Sequence, residues 1–185
     1  DDDIWAVGGS DVLHFAGEAW QRIVTCGDLT GVWGSSSRDL WLVGRRGQIF
    51  RFDGKSCTPA PSPTDADLND VWGLDSNTVY AVGSAGTILR CDGDRWREKL
   101  SNVTENLNAV QGPDGDTVYI VGNGGVVLRR TQQGPIWELI TTPTTEDLFD
   151  IWATTEHGLY LVGSNNAVFR YRSSPEQWDD LTLSV

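Results

Sequence analysis

Leu68-Asn69-Asp70-Val71-Trp72-Gly73, then Thr78-Val79-Tyr80-Ala81-Val82-Gly83, then Thr87-Ile88-Leu89-Arg90, then Asp92-Gly93 and Trp96, form a sentence that the chain repeats along its length. The Val-Gly anchor returns at Gly8, Gly44, Gly83, Gly122 and Gly163, a period of roughly 40 residues, and such a period outranks any local reading because it marks a stacked-repeat architecture. The Leu-led opening returns at Leu29 to Trp33, Leu68 to Trp72, Leu107 to Gln111 and Leu148 to Trp152. Trp20, Trp96, Trp137 and Trp178 close four of the repeats, with Cys57 in that place in the second.

Each repeat reads as four short strands: A, the Leu-led opening; B, the segment ending in Val-Gly; C, the Ile-Leu-Arg segment; and D, beginning near the closing Trp. The segments are rich in β-branched and aromatic residues and are bounded by Gly, Asn, Asp and Ser, which is strand and turn chemistry. No stretch holds a helical period. Between B and C the pairs Gly44/Gly47, Gly83/Gly86 and Gly122/Gly125 offer positions where a positive φ costs little, and Asn166 stands in for the second glycine of the fifth repeat.

A four-strand meander cannot bury both of its faces alone, so neighbours must stack, and a ring of radial blades leaves the fewest exposed edges. The expectation is an all-β, five-bladed β-propeller of four-stranded antiparallel blades in one domain over 1–185, with repeats at approximately 1–28, 29–67, 68–106, 107–147 and 148–185. The first repeat starts at strand B, Asp3-Ile4-Trp5-Ala6-Val7-Gly8, and so lacks its inner strand. The Leu181 to Val185 tail, flanking sequence or a second chain would complete it; the alternative is a fragment of a larger propeller.

The Val-Trp-Gly, Val-Gly-x-x-Gly and Asp-Gly-x-x-Trp succession is similar to tandem repeats of bacterial β-propeller proteins, and its last part resembles a degenerate Asp-box of the sialidase-type and photosystem-II-assembly-factor-type propellers. The resemblance spans the chain and implies the propeller fold; glycosidases, lectins, assembly factors and scaffolds share such repeats, so it implies no single activity. Asp-Gly is kept only at Asp53-Gly54 and Asp92-Gly93, with Ala16-Gly17, Gln133-Gly134 and Ser173-Ser174 in the corresponding region elsewhere.

The 185 residues carry a net charge of −12, which repels nucleic-acid backbones and anionic membranes at long range. With 39% apolar residues, 21 Gly and 9 Trp, the composition fits a turn-rich packed domain. No apolar run is long enough for membrane insertion. The chain opens without a basic or apolar leader and contains no Met, which reads as a processed or cut end. Localisation therefore cannot be read from a signal, and a secreted or cell-surface setting fits a binding module. Cys91 lies in an apolar strand pattern and reads as a small buried hydrophobe. Cys26 and Cys57 fall at opposite ends of adjacent outer strands in the repeat alignment, so the expectation is that they do not pair.

Catalytic constellations are thin. His14 and His157 are the only histidines, neither with ligand spacing, and the acids Asp65/Asp67/Asp70, Asp92/Asp94 and Asp114/Asp116 do not make a recognisable calcium loop. No catalytic residue, metal or cofactor is therefore expected. Strand C carries a base in every repeat, His14, Arg51, Arg90, Arg129 and Arg170, read as pairing with acceptors between blades. The aromatics of strands A and B read as core. Ligand contacts are expected in loops that differ between repeats, with Arg45, Arg46, Ser84, Asn123 and Asn165 of the B–C turns as candidates. The reading is a non-catalytic binding or scaffolding propeller that recognises a protein or a glycan through one disc face. The alternatives are a glycan-active hydrolase using the central pit, or a truncated or engineered repeat array with no activity of its own.

Overall fold

A computed structural model describes residues 3–131, 134 and 136–182. Among the described residues the alternating pattern read from the sequence becomes seventeen β-strands in four antiparallel sheets. The first sheet holds β1 (Ile4–Phe15), β2 (Trp20–Ser36), β3 (Asp39–Gly44), β4 (Ile49–Phe52) and β5 (Cys57–Pro59), side by side in chain order. The second holds β6 (Leu68–Asp75), β7 (Thr78–Gly83), β8 (Ile88–Cys91) and β9 (Trp96–Lys99). The third holds β10 (Leu107–Gln111), β11 (Thr117–Gly122), β12 (Val127–Thr131) and β13 (Glu138–Leu139). The fourth holds β14 (Leu148–Thr154), β15 (Gly158–Gly163), β16 (Val168–Ser173) and β17 (Glu176–Asp180). All four are meanders of the kind a β-propeller is built from.

The strands group into two compact units, residues 1–83 with 88–99, and residues 84–87 with 100–185. In the first unit, alternation sends Trp41, Val43 and Ile49 from one face of the first sheet into a shared core with Leu68, Val71, Val79, Ala81, Leu89, Cys91 and Trp96 of the second. The opposite face of the first sheet, Leu40, Leu42 and Phe52, is covered by Trp5, Val7 and Val12 of β1. In the second unit, Tyr119, Val121 and Val127 of the third sheet stack on Leu148, Ile151, Leu159, Leu161, Phe169 and Tyr171 of the fourth. Full burial of one such Leu or Phe is worth ~1.5–3 kcal/mol.

The first repeat departs from the regular plan. Trp5 stacks on His14 with ring centroids 4.2 Å apart; nine residues of straight strand would span ~30 Å, so β1 folds back, at Gly9 with its φ of +56°. The B–C hairpin expected there thus exists inside one element. β2 then runs without interruption from the outer strand of the first repeat, where Phe15 pairs with Trp20, into the inner strand of the second, where Leu29 pairs with Gly44. The described residues accordingly form four sheets, not five separate ones. The reason lies in the connector: Trp20 precedes Leu29 by nine residues, whereas Trp96 precedes Leu107 by eleven, leaving no room for a loop.

That short connector also overturns the expectation for the cysteines. Cys26 on β2 and Cys57 on β5 form a disulfide with Cα atoms 6.0 Å apart, inside the usual range for such bridges. The repeat alignment put the two cysteines at opposite ends of adjacent outer strands; instead β2 passes beside β4, and Gly27 lies so close to Gln48 and Phe50 that a Cβ would collide with both. Cys91 is free and buried as expected, and burial raises its thiol pKa.

The glycine pairs also divide their labour differently from the expectation. The first of each pair is extended, as at Gly122 with φ −158°, and its missing Cβ leaves room for the carbonyl of the residue preceding the inner strand, Asn106 in this case. The positive φ angles belong to the third and fourth positions: Arg46/Gly47, Ala85/Gly86, Gly124/Gly125 and Asn165/Asn166. Completion by the Leu181 to Val185 tail falls partly outside the described residues, as does Gln133; Leu181 itself donates its N–H to the Val168 carbonyl at 2.8 Å.

Candidate functional site

The B–C turns, where ligand contacts were expected, are held by a device that recurs. Arg46 N–H donates to Asp67 Oδ1 at 2.8 Å, Ala85 N–H to Asn106 Oδ1 at 3.1 Å, and Gly124 N–H to Asp147 Oδ1 at 2.9 Å. Each acceptor stands immediately before the opening Leu of an inner strand, and Asp67 and Asp147 each tie one sheet's turn to the next sheet of the same unit. This Asp/Asn-Leu signal is present in the sequence at Asp67, Asn106 and Asp147 and was missed because turn acids were read as solvated.

The candidate residues themselves serve these turns. Arg45 lies with its Nε 3.5 Å from Asp28; the Ser84 carbonyl accepts from Thr87 N–H; Asn123 Oδ1 accepts from Asn108 Nδ2 at 2.8 Å; and Asn165 Nδ2 donates to Glu146 at 2.8 Å. Each sits on its own turn, and none of them lines the clefts described below.

Of the strand C bases, expected to pair between blades, only Arg129 does so among the described residues; Arg51, His14 and Arg170 pair within their own repeat, and the Arg90 Nε is buried without a hydrogen-bond partner. Arg51 pairs with Asp39 and lies over the Trp41 ring at 4.6 Å, His14 meets Asp3 at 2.7 Å, and Arg170 Nε donates to the His157 carbonyl. Arg129 is the most elaborated. Its Nη2 is 3.2 Å from Glu138 on its own sheet and its Nη1 3.1 Å from Glu176 on the fourth. Burial pulls its pKa down, but the bonds to Glu138 and Glu176 outweigh that and leave it raised.

Around Arg129 lies a cleft of about 330 Å³, lined by Glu138, Leu139, Ile140, Thr141, Tyr171, Glu176 and Trp178, of a size suited to a side chain or small ligand. Strands β12 and β16 position its floor, and β13 and β17 its walls. Trp178 donates its Nε1–H to the Thr141 carbonyl at 2.9 Å, which fixes the ring as one wall. Tyr171 donates to Glu176 at 3.1 Å; burial, then that bond, push its pKa up to about 12, so the phenol keeps its proton throughout the physiological range. Arg129 offsets one of the two rim carboxylates, and the cleft retains a net negative charge. Both Glu side chains are more than half exposed, at 63% and 62%.

A second concavity, of about 370 Å³, lies in the first unit between Asp3, Ile4, Trp5 and the stretch from Val32 to Ser37 with Leu40. Trp5 donates its Nε1–H to Asp3 at 3.0 Å. The Trp33 ring fits because Gly73 beneath it has no side chain. A smaller pocket of about 120 Å³ lies between Pro113, Tyr119, Thr154 and Ser173. Among the described residues no group of three or more His, Cys, Asp or Glu is placed to hold a metal ion, and no helix is long and apolar enough to cross a membrane.

No family model matches the chain, and no curated protein matches it by sequence. Solved structures do match by shape. YCF48 bound to a D1 peptide superposes with a TM-score of 0.70 at 17% identity, over 96% of this chain and 63% of that one. YCF48 from Cyanidioschyzon merolae gives 0.66 at 17% identity, over 85% and 57%. The extracellular domain assigned to the hybrid two component system BT3049 of B. thetaiotaomicron gives 0.76 at 11% identity, over 96% and 28%. The chain thus spans less than two thirds of each of these proteins. These are β-propeller-type folds, and at such identities the likeness carries the fold alone.

Proposed function

We propose that this chain is a non-catalytic, protein-binding β-propeller module, and that the Arg129 cleft receives a basic side chain from an extended segment of the partner. The observation that carries the reading is the cleft itself: two rim carboxylates against one internal cation, with Trp178 as a flat wall on which a guanidinium or ammonium can rest. The overall charge of −12 favours the same class of partner by long-range attraction. The neighbour whose structure contains a bound peptide supports the use of this fold for holding an extended chain. A non-catalytic role accords with charges already paired to one another and a phenol whose proton is held to about pH 12. The five-repeat count read from the Val-Gly anchors remains our reading of the array, with the first repeat joined to the second through β2.

Calorimetric titration with capped extended peptides that differ only at a central Lys, norleucine or Glu tests this. The Lys peptide is expected to bind most tightly, and Glu138→Gln with Glu176→Gln to abolish that preference. Equal binding of all three peptides, or none, would overturn the assignment. Turnover of chromogenic glycosides would overturn the non-catalytic reading. A glycan is the second ligand class, favoured by the concavity where Trp5 and Trp33 stand beside Asp3, Ser36 and Ser37: apolar ring faces with a polar rim suit a sugar.

A further inference from the structure

The smaller pocket of the second unit, of about 120 Å³, shares Tyr171 with the Arg129 cleft, and strand register sets the two side by side. Tyr119, which lines the pocket, is the direct cross-strand partner of Arg129 on β12. Ser173, on the pocket's other wall, is the partner of Glu176 on β17. Partners of this kind have Cβ atoms ~5 Å apart. Both cavities therefore lie along one seam between the third and fourth sheets, within one unit, with centres roughly one to two strand spacings apart, ~5–10 Å. An extended chain sets side chains two residues apart on the same face at a matching ~7 Å.

The two cavities select different side chains. The cleft, at about 330 Å³, has room for a long stem that ends in a charge; the pocket has less than half that volume. Its polar lining is complementary to a group that both donates and accepts. Thr154 Oγ1 accepts the His157 N–H at 3.0 Å, which leaves its own proton to donate. Ser173 donates toward the Tyr119 phenol, which leaves its oxygen to accept. Asp114 Oδ1 takes the N–H groups of Asp116 and Thr117, at 2.9 and 2.8 Å, so its carboxylate is held at the pocket and repels another anion. The rings of Tyr119 and Tyr171, edge to face at 6.5 Å, supply the apolar part of the lining. We infer that this pocket is a second subsite of the same groove, and that the partner segment carries a small hydroxyl or carboxamide residue, Ser, Thr or Asn, two positions from its basic residue. The inference rests on the assignment of the Arg129 cleft to a basic side chain, and it makes Thr154 and Ser173 the specificity-determining residues at the second position.

Calorimetric titration with two further series of capped peptides tests this. Each series keeps the central Lys and varies one residue through Ser, Thr, Asn, Val and Glu, two positions before the Lys in one series and two after it in the other. Thr and Val have the same shape, so their ratio reads the hydrogen bonds alone. In one series Thr is expected to bind about tenfold tighter than Val, with Glu the weakest, and the other series to be flat. Thr154→Val with Ser173→Ala should bring the Thr peptide down to the affinity of the Val peptide, which uses neither hydroxyl and so reports that the fold is kept. Ser173→Ala alone should remove part of the ratio. A Lys-over-norleucine preference in the unaltered chain with both series flat would overturn the subsite and leave the cleft assignment standing. Absence of the Lys preference would overturn both. A Thr-over-Val ratio that survives the double substitution would place the selectivity elsewhere and overturn the subsite.

Discussion

The third and fourth sheets carry nearly the same residues at the same positions and differ in what faces them. Tyr119, Val121 and Val127 are buried, Val121 completely, whereas Tyr160 and Val168 are half-buried and Val162 is 45% exposed. Arg129 joins two carboxylates, one of them on the next sheet, while Arg170 reaches, among the described residues, the His157 carbonyl and the face of Tyr160 at 5.7 Å. The lesson is that a repeat position specifies a side chain but not its energetics. The neighbouring sheet supplies those, because the hydrophobic gain exists only where water is removed.

The sharpest way to break the comparison is to truncate adjacent residues of β15. Leu161→Ala, on the face covered by the third sheet, opens a cavity and is expected to cost about 2–5 kcal/mol. Val162→Ala, one residue later on the open face, is expected to cost less than about 1 kcal/mol because its methyls are already in water. Urea unfolding of the two variants checks both. Equal losses would mean that the Val162 face of the fourth sheet is covered.

A smaller contrast separates the two arginines. Arg129→Met leaves Glu138, Glu176 and the Tyr171 hydroxyl without their shared donor, and with both carboxylates largely solvated the loss is about 1 kcal/mol. Arg170→Met gives up a hydrogen bond and a ring contact at an exposed face, an expected loss of less than about 0.5 kcal/mol. Raising the salt concentration should shrink the first difference and leave the second nearly unchanged, which urea midpoints at low and high salt would show.

The sheets and their order were legible from the period, because the Val-Gly anchors and the Leu openings mark strand ends by chemistry that a pleated, half-buried strand requires. The second sheet falls on the predicted segments almost residue for residue. What was not legible was spacing at the joints. Two residues missing between Trp20 and Leu29 turn a loop into a continuous strand and bring Cys26 to Cys57, a consequence of chain length and not of residue type. The Arg129 cleft was only half visible. Arg129 and Trp178 were each singled out, but Glu138 and Glu176 come from outer strands whose start shifts between repeats, so no fixed offset ties them to the arginine.

Tyr171 gives the finest probe, silent at neutral pH. Phe52 and Cys91 occupy its place in the first two sheets, each fully buried, so Tyr171→Phe should pack without strain and remove only the hydroxyl that donates to Glu176. Burial, and then that bond, hold the folded phenol to about 12, against ~10 in the unfolded chain. A raised folded pKa favours the protonated phenol in the folded state. Below pH ~10 both states keep the proton and the contribution is complete; above it the unfolded chain loses its proton first, and stability falls until the folded phenol ionises near 12. Other groups, among them Tyr119, whose pKa burial also raises, contribute to alkaline unfolding, so the difference between the unaltered chain and Tyr171→Phe carries the information. Urea midpoints of the two proteins should run parallel up to about pH 10 and converge above it, the variant losing less. Parallel curves throughout would mean that the Glu176 bond does not hold the proton, and that the cleft is wetter than its lining implies.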